Sequence, residues 1–320
     1  MALMLYFFYF IIFCSIHCVQ SKHKKLCEQG DCPNGNKFQS PINIIPCDCR
    51  RNTCGQTTNN KFQPLKLENF NSLADVTVTN TGHTLKSSQK QSAYIVGGPL
   101  NNEYNFAQLH LHWGRTDNEG SEHRIDNKKF SMEAHFVFSR SYVPQSRKRN
   151  VRTPKIKSTK PCDVEAETER RTESNANVVD KFRKRNTYSK NTVTISVVLG
   201  VLFDKSENAI KYDLLEKADK LVNVNSTITE KGQFISQLVS SMNLDNYFTY
   251  SGSLTTPPYS TNVIWIVLRD PLSVSSDQLD LLRKLKSDEG LITENFREIQ
   301  PLTDRVLVCS RQSRNNSATC

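Results

Sequence analysis

The stretch Gln108-Leu109-His110-Leu111-His112-Trp113-Gly114 constrains this chain more than any other, and Glu133-Ala134-His135-Phe136-Val137 is its partner. Both alternate polar with apolar residues, the pattern of a half-buried β-strand. A strand sends residues i and i+2 to the same face. His110 and His112 therefore project side by side, and Glu133 and His135 do the same on the second strand. Two imidazoles from one strand and a third from the other can meet as three corners of a tetrahedron. That is a catalytic zinc arrangement with an open fourth position. A lone His-x-His is equally well chance polarity on a half-buried strand, so the remaining motifs must decide.

The N-terminus bears on compartment. Residues 1–20 hold the apolar run Leu3 to Phe13, too short to span a bilayer and followed by small and polar residues, and read as a secretory signal peptide. Residues 21–37 form a Cys-containing segment, and the tail at 311–320 is polar, without a lipid-anchor signal. No later stretch is long and apolar enough for a transmembrane anchor. Of the 10 cysteines, Cys14 and Cys18 leave with the signal; Cys27, Cys32, Cys47, Cys49, Cys54, Cys162, Cys309 and Cys320 remain. An even set in an exported chain predicts disulfides of undetermined pairing. Asn225-Ser226-Thr227 and Asn315-Asn316-Ser317 are acceptor patterns for N-glycans. The expectation is a secreted, extracellular, disulfide-bonded glycoprotein.

Short alternating runs such as Asp75-Val76-Thr77-Val78-Thr79 are punctuated by Asn80-Thr81-Gly82, Gly97-Gly98-Pro99 and Asp117-Asn118-Glu119-Gly120. This predicts an α+β, mainly β fold: a single domain at 38–310 around a large twisted, mostly antiparallel sheet. Helical periodicity is confined to Gly232–Met242 and Ser276–Lys286, predicting short peripheral helices. The run Thr192 to Phe203 reads as a central strand. Residues 145–190 break the rhythm with 14 Lys+Arg against 6 Asp+Glu, most of the whole chain's +10. That composition predicts a basic, disordered insertion.

Several blocks resemble the α-class carbonic anhydrases and fall in that family's order. They are Gln39-Ser40-Pro41-Ile42-Asn43, His110-Leu111-His112-Trp113-Gly114, Ser121-Glu122-His123, Glu133-Ala134-His135 and Tyr250 to Pro258, which ends Leu254-Thr255-Thr256-Pro257-Pro258. Asn295 to Leu302 is similar to the family's C-terminal block.

The resemblance implies a zinc lyase that reversibly hydrates carbon dioxide to bicarbonate and a proton. By it, Zn2+ is held by neutral His110, His112 and His135. Zinc lowers the pKa of water from about 15.7 to about 7, a value known for the family itself. Thr255 looks like the threonine that hands its proton to a buried glutamate, here Glu122, and so orients the attacking oxygen. Gln108 looks like the partner of His110, Glu133 that of His135, and the Asn295 carbonyl that of His112; such partners fix ring orientation. The carbon dioxide wall is by resemblance Val137, Val198, Leu254, Thr256, Val263 and Trp265. Thr81-Gly82-His83-Thr84 is similar to the shuttle-histidine block, which makes His83 the proton carrier.

Some positions depart from the family. Thr81 and Lys86 stand where neutral amides are more frequent, and a lysine there can depress the pKa of His83. Phe138 stands where histidine is common. The aromatic cluster before Gln-Ser-Pro is missing, and Tyr259 follows the prolines where secreted members often carry a bridging cysteine. A second function class remains, a non-catalytic matrix or binding protein acting through its insertion. Inactive relatives typically lose a zinc histidine, and this chain keeps all three. The insertion suits an extracellular polyanion or acidic matrix. Nucleic acid is excluded by secretion and by the scarcity of aromatics among the charges.

Overall fold

The computed structural model describes residues 38–46, 63–70, 73–142 and 192–310. The expected signal peptide, the segment at 21–37, the insertion at 145–190 and the tail at 311–320 lie outside them, as does every cysteine except Cys309. In chain order the strands are β1 (Asn43–Ile44), β2 (Gln63–Glu68), β3 (Ala74–Asn80), β4 (Leu85–Gln89), β5 (Tyr94–Gly98) and β6 (Tyr104–Trp113). Then come β7 (Arg124–Ile125), β8 (Met132–Tyr142), β9 (Val193–Lys205), β10 (Thr227–Gly232), β11 (Tyr247–Ser253) and β12 (Thr261–Leu268). The last four are β13 (Leu272–Val274), β14 (Lys286–Ser287), β15 (Gly290–Leu291) and β16 (Val308–Cys309). Among the described residues the helices are short: α1 (Asp213–Glu216), α2 (Phe234–Ser240) and α3 (Ser276–Arg283).

One 12-stranded sheet organises the molecule, in the order β10-β3-β4-β6-β8-β9-β12-β11-β16, with β5 also beside β6, β2 beside β5, and β13 beside β9. Most pairings are antiparallel, as expected, but β12 and β13 both run parallel to β9. The described residues up to Arg140 and from Ile195 onward form one compact unit, and Ser141 to Thr194 belong to a second. Of the second, the described residues are the ends of β8 and β9, where the Ser141 and Thr194 hydroxyls hydrogen-bond at 2.8 Å.

The period of two in the sequence separates two cores. Val197, Leu199, Val201 and Phe203 of β9 join one apolar cluster together with Ile266 and Leu268 of β12. Val198 and Leu202 join another, with Val263, Trp265 and Val267. Because both faces are covered, β9 is apolar almost throughout rather than alternating. Leu109, Leu111, Ala134 and Phe136 belong to the first cluster. The residues between them in β6 and β8 therefore face the second, and those are the histidines and Glu133.

The expected helices form because they close the first core. Ser275 caps α3 by accepting from the Gln278 N–H, and Leu279, Leu282 and Leu285 are fully buried. α2 buries Phe234, Ile235 and Leu238. Phe138 is fully buried and packs edge-on against Phe106 at 5.6 Å and Phe70 at 6.4 Å, so at this position the chain has an aromatic cluster.

The second core joins distant segments tightly. A Cβ on Gly252 would come within 2.2 Å of Ser40 Oγ and 3.0 Å of the Trp265 ring. Ser40 Oγ cannot yield, because it already bonds the Tyr250 hydroxyl at 2.9 Å and the Ser253 N–H at 3.2 Å. Gly252→Ala is therefore expected to destabilise the fold by about 1–3 kcal/mol. Denaturant unfolding measures this, and an unchanged midpoint would contradict the packing.

Candidate metal centre

Register brings the ligands together. His110 of β6 lies directly opposite His135 of β8, and His112 lies opposite Glu133. His110 Nε2 is 3.3 Å from His135 Nδ1, and His112 Nε2 is 3.1 Å from the same atom. Four tetrahedral ligands at about 2.0–2.1 Å from zinc stand about 3.3–3.4 Å from one another. The spacing matches that of a zinc site.

Proton assignment shows why these nitrogens need a cation between them. His110 Nδ1 meets Gln108 Oε1 at 3.0 Å, and His112 Nδ1 meets the Asn295 carbonyl at 2.9 Å. His135 Nε2 meets Glu133 Oε1 at 2.8 Å. Each partner is an acceptor, so each of those ring nitrogens carries the proton, and the other nitrogen of each neutral ring holds a lone pair. Three lone pairs then converge with no proton among them. Burial holds the pKa of all three histidines below the ordinary value, and the neighbouring imidazoles add to it at His110 and His135. Neutral imidazole is the form that binds metal.

All three partners expected for the histidines are thus in contact with them. Glu133 is fully buried, which opposes ionisation. His123 and His135 outweigh that burial and hold the carboxyl well below the usual range. Its Oε2 accepts from the Glu122 and His123 N–H groups, both at 2.8 Å, and its Oε1 meets His123 Nδ1 at 2.7 Å. His123 Nε2 in turn meets the Tyr250 hydroxyl at 2.7 Å, which reaches Ser40. His123, Glu133 and His135 also converge as a second group able to ligate metal, but these short proton-bearing contacts account for their closeness.

Glu122 is buried beside the centre, with Oε2 3.8 Å from His135 Nδ1 and Oε1 accepting from the Arg297 N–H at 2.7 Å. Burial pushes its carboxyl up to about 7, with a hydrogen bond from Thr255 pulling the other way. Thr255 is itself buried. Val198, Val263 and Trp265 are buried in the second core, Val137 and Leu254 pack against it half-buried, and Thr256 is exposed. His83 is exposed in the turn before β4.

A profile of the eukaryotic-type carbonic anhydrases matches residues 21–157 and 175–311. The chain belongs to that family. It is 28% identical to carbonic anhydrase 7 of Mus musculus, over 86% of this chain and 89% of that protein. It is 30% identical to putative carbonic anhydrase 5 of Caenorhabditis elegans, over 88% of this chain and 81% of that one. It is also 28% identical to the carbonic anhydrase-related protein of Homo sapiens, over 86% and 84%. The unmatched interval 158–174 falls inside the basic segment 145–190. Carbonic anhydrases of this type use zinc, and the donor set His110, His112 and His135 fits that metal in element and spacing.

Two features of the site lay beyond the motifs. The Asn295 side chain accepts from the Trp113 N–H at 2.8 Å and donates to the His83 and Leu111 carbonyls, both at 2.9 Å. One residue therefore ties the end of β6, the His83 turn and the His112 ring together. His123 stood in a quoted motif without a role, although Glu133 needs donors for both its oxygens. Glu133→Gln removes the charge on which His135 depends, and zinc affinity is expected to fall about 10–100-fold. Competition with a chromogenic chelator measures it, with circular dichroism as the check on folding; unchanged affinity would contradict the arrangement.

Proposed function

We propose that the chain is an active, extracellular, zinc-dependent carbonic anhydrase. The observation that carries the reading is the convergence of three proton-free imidazole nitrogens beside the Thr255–Glu122 pair. Zinc held by His110, His112 and His135 would supply a nucleophile at neutral pH, because it lowers the pKa of water to about 7, as known for the family. The chain's own residues do the rest. Gln108, Glu133 and the Asn295 carbonyl hold the three rings at fixed angles. Thr255 commits its hydroxyl proton to Glu122, so it offers only lone pairs to the attacking oxygen and sets that oxygen's orientation. Val137, Val198, Leu254, Val263 and Trp265 give apolar carbon dioxide a surface on which it displaces little bound water, with Thr256 at the edge. His83, exposed at the neighbouring turn, takes the proton outward.

Carbon dioxide hydration by the purified full chain, before and after chelation, tests this. Activity lost on chelation and restored by zinc, together with inactive His112→Ala, is the expected outcome. Full activity in verified zinc-free protein would overturn it.

A signal peptide at 1–20, disulfides that include Cys309, and a glycan on exposed Asn225 complete the extracellular reading. The charge of residues 145–190 favours a second role beside catalysis, or in its place, as a tether to an extracellular polyanion or acidic matrix. Replacing 145–190 with a short Gly/Ser linker is expected to preserve hydration and to cut salt-dependent retention on a heparin column. Equal retention before and after would remove the tether. Retention lost from a chain that binds no zinc would leave only the non-catalytic reading.

A further inference from the structure

We propose that Lys86 is an anion-selecting residue of this metal centre, raising its affinity for monovalent anions such as bicarbonate over neutral ligands. The inference rests on the reading of the site as a zinc centre. Its basis is strand register. Lys86 of β4 stands directly opposite His110 of β6. Residues opposite one another on antiparallel strands share a face, with Cβ atoms about 4.5–5.5 Å apart. Leu85 and Ser87, its neighbours in β4, are buried, whereas Lys86 is exposed. The ammonium therefore stands on the ligand-bearing face, on the side that solvent reaches.

Among the described residues no carboxylate forms an ion pair with Lys86. Asp75 pairs with Lys90 at 3.6 Å, and Glu294 pairs with Arg115 at 2.8 Å. Glu122 and Glu133 are 2% and 0% exposed and hydrogen-bonded. The neighbouring His83 contributes no negative charge. A ligand arriving from solvent at the open side thus meets an uncompensated cation one side chain from the metal ligands. Carbon dioxide is neutral and indifferent to it, while bicarbonate is attracted. In a wet site a unit charge at this range changes anion affinity on the order of three- to tenfold.

The test uses the full chain carrying cobalt(II) in place of zinc, whose visible absorption reports a ligand joining the metal. Thiocyanate serves as the anion and neutral imidazole as the control. Lys86→Gln is expected to weaken thiocyanate about three- to tenfold and Lys86→Glu further, with imidazole affected far less. Lys86→Arg should retain thiocyanate affinity, because it keeps the charge. Equal thiocyanate affinity in Lys86→Gln and the parent protein overturns this inference alone, as does an equal loss for imidazole. A chain that takes up neither cobalt nor zinc overturns it together with the metal-centre reading.

Discussion

The buried carboxylate of Glu133 is the interaction on which the rest of the site depends. An ionised group with no exposure costs several kcal/mol in desolvation, and it persists only if its lone pairs are met. Glu133 has four partners: the Glu122 and His123 N–H groups, His123 Nδ1 and His135 Nε2. Each is also a constraint on the site. The backbone pair fixes the loop that presents Glu122, and the His135 contact fixes which nitrogen of that ring is free for metal. Through His123 and Tyr250 the same network reaches Ser40, more than two hundred residues from Tyr250 in sequence. Gly200 of β9 belongs to it too, since a Cβ there would approach Glu133 Oε1 to 3.0 Å.

Asn295 performs a matching task where β6 ends. Its carbonyl orients His112, and its side chain holds the Trp113 N–H and the His83 and Leu111 carbonyls. His112 and the exposed His83 turn are therefore registered to one another by a single residue. Fixed geometry of this kind matters for reactions in which an oxygen must approach along one direction.

Much of this was legible in the sequence, for physical reasons that also mark its limit. Alternation located β3, β6 and β8, because a sheet face either meets a core or does not. Spacing of two put His110 with His112 and Glu133 with His135 before any pairing was known. The continuous apolar run of β9 suggested a central strand but could not reveal that β12 and β13 run parallel to it. α1, at four residues, is too short to display a period. The roles of His123, Arg297 and the Asn295 side chain were hidden because they rest on contacts between segments far apart in the chain. The Phe70–Phe106–Phe138 cluster was hidden likewise, and it explains a departure at Phe138 that carried no argument by itself.

Charge balance links these parts. Three imidazoles held neutral by their hydrogen bonds contribute lone pairs but no charge. Two carboxylates, Glu122 and Glu133, lie buried against them, with Glu122 Oε2 3.8 Å from His135 Nδ1. Full ionisation of both would leave two negative charges in a region of low dielectric, and burial accordingly pushes Glu122 up to about 7. A dication held by the three nitrogens would offset that cost and favour the ionised form of Glu122. Metal binding and the ionisation of Glu122 would thus be coupled. Val198, Val263 and Trp265 lie in the second core, where little water weakens a charge interaction, whereas Lys86 and His83 are exposed.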